Sequence, residues 1–149
     1  KELSPGTENV PGIAGMGLAI SNATSNIEKN HNSIMDNEKI FFEQLKNLNI
    51  PYTLNGNTRL GGIMSITFHE IKSQDLVMAL DLNGFAISGG SACSSGSVKA
   101  SEILLNIGLN SKEALETVRI SIGKSHTSDD VIALANEIKQ TIEKISDVI

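Results

Sequence analysis

The only cysteine of the 149-residue chain, Cys93, lies in a segment made almost entirely of glycine, serine and alanine. Residues 89–97 read Gly-Gly-Ser-Ala-Cys-Ser-Ser-Gly-Ser and offer no side chains for a core. Reactive thiols occur in accessible polar surroundings, whereas structural thiols sit among apolar neighbours. An ordinary thiol, with a pKa of about 8.5, is mostly protonated near neutrality, so activation would have to come from outside the segment. Composition therefore allows either a nucleophilic or an incidental cysteine.

The second candidate is Arg119, one of only two arginines, the other being Arg59 in a predicted loop. Arg119 stands between Val118 and Ile120 in an alternating segment, so its side chain is predicted to point away from both. An outward arginine on a sheet is usually solvated, but the scarcity of arginine favours a functional role for this one.

The histidines and the remaining basic residues suggest no site. The three histidines are His31, His69 and His126, and none has a Cys, His or carboxylate partner at metal-ligand spacing. We predict that all three lie at the surface. Lys99 and Lys124 are likewise expected to be solvated.

Composition excludes several classes of protein. One cysteine rules out an intrachain disulfide, a Cys₄ zinc site and a self-sufficient iron–sulfur centre. A net charge of −5 gives no electrostatic footprint for nucleic acid or anionic lipid. No apolar run is long enough to span a membrane, and no signal-peptide pattern follows Lys1. We therefore expect a cytoplasmic chain whose natural start could lie upstream of Lys1.

An apolar residue recurs every seven positions from Ile13 to Leu48, which predicts a long helix. Companion positions such as Asn37 and Gln44 are polar, so the stripe is too narrow for an independent coiled coil. We expect the helix to be broken once near residues 30–37. Its beginning should pack on another part of the protein and its end on its own domain.

Further along, strand-like and helix-like patterns alternate. The predicted strands are 62–68, 85–88 and 117–122, and the predicted helices are 73–82, 101–107 and a last one that Thr127 opens with a capping box to Asp130. This order predicts an α/β (α+β) fold in which a small sheet of about three strands is covered by helices on one face. We divide the chain into 1–27, an interdomain loop and the start of the long helix, and 28–149, a C-terminal small domain carrying the cysteine.

Four segments of the chain are similar, in the same order, to those of one known family. They are 6–13 (Gly-Thr-Glu-Asn-Val-Pro-Gly-Ile), 78–81 (Met-Ala-Leu-Asp), 91–97 (Ser-Ala-Cys-Ser-Ser-Gly-Ser) and 118–123 (Val-Arg-Ile-Ser-Ile-Gly). Segment 91–97 resembles the active-site loop of the NifS/IscS-type cysteine desulfurases, and the other segments resemble motifs at corresponding places in that family. The similarity covers nearly the whole chain and implies the C-terminal domain of the class V aminotransferase fold.

The resemblance implies a pyridoxal-phosphate enzyme of fold type I that takes sulfur from L-cysteine and releases L-alanine. It makes Cys93 the nucleophile that carries the sulfur as a persulfide to a sulfur-acceptor or scaffold protein, for iron–sulfur clusters, thio-cofactors or tRNA. It assigns Arg119 to the substrate carboxylate, a task suited to a planar guanidinium. It assigns Thr7 to the cofactor phosphate of the neighbouring subunit in a homodimer, although Thr7 could simply be a turn or cap residue.

The chain departs from the family in what it lacks. Such an enzyme needs a Schiff-base lysine, which the family presents after a histidine, and none of the ten lysines here follows a histidine. We therefore expect a C-terminal fragment that packs on an absent cofactor-binding domain and binds no pyridoxal phosphate alone. Ser4 and Pro5 replace a basic residue common before the Gly-Thr pair, and Ser65 replaces a common asparagine.

Two other functions remain open on sequence alone. The chain could be a non-enzymatic sulfur-carrier or scaffold-binding module that uses the same fold and thiol. It could also belong to another class V enzyme, such as a selenocysteine lyase.

Overall fold

Two consecutive helices, α1 (Val10–Ser25) and α2 (Ile27–Asn47), begin the fold in a computed structural model that describes residues 6–89 and 99–146. They meet at Asn26, so the predicted break near residues 30–37 is wrong. Side chains before the junction donate to carbonyls one turn back: Thr24 Oγ1 to Ile20 O (3.0 Å), Ser25 Oγ to Ser21 O (2.8 Å) and Asn26 Nδ2 to Asn22 O (2.9 Å). Such local bonds compete with the helical backbone pattern, and three in succession explain the break here.

The two halves of the predicted apolar stripe differ in burial. No residue of α1 is buried, and Ile13 and Ile20 are 60% and 52% exposed. In α2, Phe41 and Leu45 are fully buried, as expected for the end of the stripe. The division at residues 27 and 28 remains a prediction.

The described strands form one antiparallel sheet in the order β1-β2-β4-β3. They are β1 (Thr53–Asn55), β2 (Ile63–Thr67), β3 (Ser88–Gly89) and β4 (Thr117–Ser121). The small sheet is confirmed, but it has four described strands instead of about three. Strand β1 was missed because three residues are too few to show alternation, and pairing with β2 defines it. The strand predicted at 85–88 is shorter and begins only at Ser88.

Four more helices complete the described fold: α3 (Ser73–Leu82), α4 (Glu102–Asn106), α5 (Ser111–Leu115) and α6 (Ser128–Ser146). Helix α5 was not predicted; a capping box between Asn110 and Glu113 starts it. The predicted capping box of α6 is confirmed, since the Thr127 N–H donates to Asp130 Oδ2 (2.7 Å) and the Asp130 N–H donates to Thr127 Oγ1 (3.3 Å).

Helices α2, α3 and α6 cover one face of the sheet, which confirms the predicted fold class. The fully buried apolar side chains come from these helices, from β2 and β4, and from Phe68 directly after β2: Phe41, Leu45, Met64, Ile66, Phe68, Leu76, Leu80, Val118, Ala135 and Ile138. An apolar core of this kind leaves the opposite face of the sheet free for polar side chains. Within the described ranges, no helix combines the length and apolar character needed to cross a bilayer.

Candidate functional site

The face of the sheet turned away from the core is polar. Side chains alternate along a strand, so Val118 and Ile120 point into the core and Arg119 points to the opposite side, as the sequence predicts. The same alternation brings polar residues of all four strands to this side. We call them the polar face: Thr53, Asn55, Ser65, Thr67, Ser88, Thr117, Arg119 and Ser121. Arg119 is the only charged residue of this set.

Strand register places Arg119 between two serines. Its direct cross-strand partners are Ser65 on β2 and Ser88 on β3. Arg119 Nη2 donates to Ser88 Oγ over 3.4 Å, a long contact for a hydrogen bond. No carboxylate of the described residues forms an ion pair with this exposed guanidinium. Arg119 thus keeps N–H groups that can bind an anion.

Buried threonines hold the adjacent part of the polar face in place. Thr67 and Thr117 are each 1% exposed, and their hydroxyl oxygens are 2.8 Å apart. Asn55 Nδ2 donates to Thr67 Oγ1 (3.0 Å), and Thr117 Oγ1 donates to the carbonyl oxygen of Glu113 (2.6 Å). This chain of hydrogen bonds joins β1, β2, β4 and α5, and it fixes the strands that carry Ser65 and Arg119 relative to each other.

Cys93 lies outside the described residues. The described chain nevertheless comes within four residues of it, because β3 ends at Gly89, and Ser88 of this strand pairs with Arg119 on β4. The sequence-predicted Arg119 therefore adjoins the strand that leads toward the sequence-predicted Cys93. The roles of both residues remain predictions.

Thr7 lies in the exposed segment that precedes α1. The cap of this helix is provided by Asn9, whose Oδ1 accepts a hydrogen bond from the Gly12 N–H (3.1 Å). The helix-cap alternative for Thr7 is therefore wrong. Its predicted contact with a cofactor phosphate concerns another subunit and remains a prediction.

The histidines are at the surface, as predicted. His69 Nε2 and Thr53 Oγ1 are 2.8 Å apart, and His126 Nδ1 accepts from the Gly123 N–H (2.9 Å) in the turn before α6. No group of three potential metal ligands converges within the described ranges.

The lysines allow a test of whether these residues fit pyridoxal phosphate. Of the ten lysines, all but Lys1 are described; eight of these nine are exposed, and the partly buried Lys139 pairs with Glu143 (3.2 Å). A lysine that forms an imine needs an apolar or cationic environment that lowers its pKa, and none of the described lysines has an apolar one. The described residues thus do not form a complete site for this cofactor.

The other arginine, Arg59, has an entirely different environment. Both of its terminal nitrogens contact the carboxylate of Glu38 on α2, which is only 3% exposed, and Nη1 lies 2.8 Å from Oε2. Glu38 Oε2 also accepts from the Gly62 N–H (2.8 Å), and the guanidinium carbon lies 6.0 Å from the Phe42 ring centroid. This ion pair fastens α2 to the β1–β2 connection. The sequence contains one signal for this ion pair. Glu38 precedes Phe41 by three residues and Leu45 by seven, which places its carboxylate on the same helix face as these apolar side chains.

The ion pair changes the pKa of both members. Burial by itself would raise the pKa of Glu38, but hydrogen bonds from Arg59 and the Gly62 N–H and the guanidinium charge outweigh burial and lower it. The same hydrogen bond raises the pKa of Arg59. Gly62 cannot be replaced freely, because φ is +81° and an added Cβ would lie 2.6 Å from the Ile122 carbonyl oxygen. Glu38, Arg59 and Gly62 form a structural cluster.

Residues 1–134 match the family described as Aminotransferase class-V. The match covers most of the 149 residues, including the polar face, and the chain belongs to this family.

Particular relatives narrow the similarity within the family. The chain is 35% identical over 143 residues to cysteine desulfurase IscS of Methanosarcina thermophila, a match that covers 94% of this chain and 35% of the relative. It is 29% identical over 144 residues to the putative cysteine desulfurase IscS 1 of Bacillus subtilis, covering 95% of this chain and 38% of that protein. A NifS-like protein from Rickettsia africae of known X-ray structure matches with a TM-score of 0.75 and 29% identity over 93% of this chain and 36% of that chain. The chain thus spans about a third of the length of these relatives.

Proposed function

We propose that the chain is the small domain of a cysteine desulfurase that converts L-cysteine to L-alanine and carries the sulfur as a persulfide on Cys93. The observation that supports this most directly is the position of Arg119. It is exposed on the polar face, makes no ion pair with any described carboxylate, and pairs with Ser88, which lies five residues before Cys93. Five residues of chain reach at most about 18 Å, so a thiol at Cys93 is tethered near a carboxylate held by Arg119.

The sulfur transfer requires no external oxidant. The Cys93 thiolate attacks the substrate sulfur; the new S–S bond forms as the bond between that sulfur and the substrate β-carbon breaks. The bond electrons remain on carbon, which takes one proton and becomes the methyl group of alanine. The sulfur atoms are oxidised to the persulfide level as the β-carbon is reduced. The thiol of Cys93 and L-cysteine are thereby converted to one persulfide and L-alanine, so atoms and electrons balance.

In this proposal Arg119 binds the substrate carboxylate. Its guanidinium presents two parallel N–H groups to a carboxylate, which fixes the orientation of the amino acid as well as its charge. Holding the substrate sulfur within reach of the tethered thiol lowers the barrier by orientation.

The proposed cofactor is pyridoxal phosphate, which when bound stabilises negative charge at the substrate carbons. Since the described lysines do not suit it, we propose that other parts of the complete protein hold it and that this chain alone does not. The hydroxyl of Thr7 is proposed to reach the cofactor phosphate of the partner subunit in a homodimer. A preparation of the isolated chain with the cofactor's visible absorbance would contradict this assignment.

Helix α1 is proposed to pack on the cofactor-binding domain. Its exposed apolar residues would be covered there, whereas α2 packs on the small domain. This supports the division into 1–27 and 28–149. The proposed partners are a sulfur-acceptor or scaffold protein, for iron–sulfur cluster or thio-cofactor and tRNA sulfur supply in the cytoplasm, and the negative net charge argues against nucleic acid and membrane surfaces.

The decisive experiment replaces Cys93 by Ser in the complete protein. We expect alanine formation and the persulfide to be lost while the absorbance of the bound cofactor is retained. Mass spectrometry of the protein after exposure to L-cysteine measures the persulfide as the mass of one added sulfur atom. A persulfide retained in Cys93→Ser would exclude Cys93 as its carrier.

The same preparation separates the alternative functions. A sulfur-carrier module would gain sulfur only from a separate donor enzyme and release no alanine from L-cysteine. A selenocysteine lyase would release alanine faster from L-selenocysteine and form little persulfide from L-cysteine.

A further inference from the structure

Two serines, Ser65 and Ser88, lie directly beside Arg119 on the polar face. Ser65 and Ser88 are its direct cross-strand partners on opposite sides, and all three side chains point away from the core. Cross-strand partners have Cβ atoms about 4.5–5.5 Å apart, so both serines stand directly beside the arginine side chain. Arg119 Nη2 and Ser88 Oγ are 3.4 Å apart. The guanidinium-bearing Arg119 thus has a serine hydroxyl on each side.

The hydroxyl groups of Ser65 and Ser88 can both still donate a hydrogen bond. Ser88 Oγ accepts from Arg119 Nη2, and Ser65 Oγ accepts from Asn55 Nδ2, each over 3.4 Å. A serine hydroxyl has one donor and two acceptor lone pairs, and both of these bonds use a lone pair. Neither O–H proton has an acceptor among the residues that the structure describes.

Charge on the polar face favours an anion at this point. No carboxylate belongs to the polar face, and no described carboxylate pairs with Arg119. Arg119 and the two serine hydroxyls therefore supply hydrogen-bond donors side by side on three strands. An anion bound there meets no negative charge from the described residues of the polar face.

We propose that Ser65 and Ser88 are carboxylate-binding residues that act with Arg119, each donating one hydrogen bond to the substrate carboxylate. The inference rests on the proposed function and extends it to two residues with no assigned role. The guanidinium supplies the charge, and the flanking hydroxyls set how tightly, and in which plane, the carboxylate is held. Ser88 also links this subsite to β3, the strand that leads toward Cys93.

The test measures L-cysteine kinetics of Ser65→Ala and Ser88→Ala in the complete protein. Because the carboxylate is held alike in the ground state and the transition state, we expect KM to rise about tenfold in each while kcat stays within twofold. Ser121→Ala is the matched control: Ser121 lies on the same face of β4 but pairs with Ile63, and its KM should not change. Ser88→Thr, which keeps the hydroxyl, should restore most of the affinity.

Two further measurements separate a binding role from a structural one. Cysteamine has the amine and thiol of the substrate but no carboxylate, so its turnover should be equal in wild type and both alanine variants. The affinity for the product L-alanine, measured by calorimetry, should fall about tenfold in Ser65→Ala and Ser88→Ala and remain unchanged in Ser121→Ala.

The results also distinguish this inference from the proposed function. Unchanged KM and L-alanine affinity in both alanine variants would overturn the role of the serines while desulfurase activity stands. A wild-type protein that releases no alanine from L-cysteine would overturn the proposed function. In that case the L-alanine affinities measured by calorimetry decide whether the serines bind a carboxylate. An affinity that is equal in wild type and all variants, or undetectable in all of them, would overturn the role of the serines.

Discussion

The two arginines of this chain show opposite ways of using a guanidinium. Arg59 gives both terminal nitrogens to the buried carboxylate of Glu38 and lies near the Phe42 ring. Arg119 is exposed, makes one long contact with Ser88, and forms no ion pair with the described carboxylates. One cation is neutralised within the fold, whereas the other keeps its donors.

The difference shows what distinguishes a structural arginine from one available to a ligand. A buried carboxylate such as Glu38 requires a partner, because an uncompensated charge in the core is costly. Among the described residues, the cross-strand partners of Arg119 are two serines, whose neutral hydroxyls are compatible with its charge but do not neutralise it. If this interpretation is correct, replacing each arginine should change a different property of the protein.

The largest effect is expected for Arg119→Met in the complete protein. Loss of two charge-assisted hydrogen bonds to the substrate should lower kcat/KM for L-cysteine by about 10²–10³-fold, whereas the free energy of unfolding changes by less than about 0.5 kcal/mol. Steady-state kinetics and urea unfolding measure the two quantities. Arg119→Lys should recover only part of the activity, because an ammonium group lacks the bidentate geometry. Full activity in Arg119→Met would remove the distinction between the two arginines.

The converse is expected for Arg59→Met. This variant leaves Glu38 buried with only the Gly62 N–H as partner, and we expect the free energy of unfolding to fall by about 3 kcal/mol. The kcat/KM of the folded protein should stay within about twofold of wild type, a change too small to reflect a lost substrate contact. The midpoint of urea unfolding, with kinetics at low urea, provides both values. A stability unchanged from wild type would mean that the ion pair contributes no net free energy.

The smallest effect is the pH dependence of the same ion pair. The pKa of Glu38 is lower in the folded protein than its ordinary value of 4.5, so the pair contributes stability that is fully present above pH 4.5. That contribution should disappear as the pH falls through the lower folded-state pKa. The difference in unfolding free energy between wild type and Glu38→Gln should therefore shrink between pH 6 and pH 3. The pKa values of the exposed carboxylates Glu70 and Asp130 are also lowered. Their contributions are the same in wild type and in Glu38→Gln, so they cancel in the difference between the two unfolding free energies. A difference that is constant over this range would mean that the charge of Glu38 is not involved.

Much of the fold could be predicted because its signals are local. The capping box at Thr127 and Asp130, the helix that ends at Leu82 and the alternation around Arg119 each depend on residues within a few positions of one another. The same holds for the motifs that indicated the family. The helix break was placed wrongly because side-chain bonds such as Ser25 Oγ to Ser21 O, rather than the apolar period, determine where α1 ends.

The parts that could not be predicted depend on contacts between distant positions. Strand β1 is defined by its pairing with β2, for example of Leu54 with Ile66. Glu38 forms its ion pair with Arg59, which lies 21 positions further along the sequence. No pattern within one segment contains such pairs. The sequence did indicate Arg119, but only the register of three strands brings Ser65 and Ser88 to it.

The sequence by itself therefore determined the family, the one thiol and the periodic patterns that build helices and strands, because these depend on residue identity and short spacing. The tertiary structure decided which arginine is neutralised, which half of the apolar stripe is buried, and which hydroxyls stand beside Arg119. Those outcomes follow from register and long-range packing, in which a group's partner is set by the folded chain rather than by its neighbours in sequence.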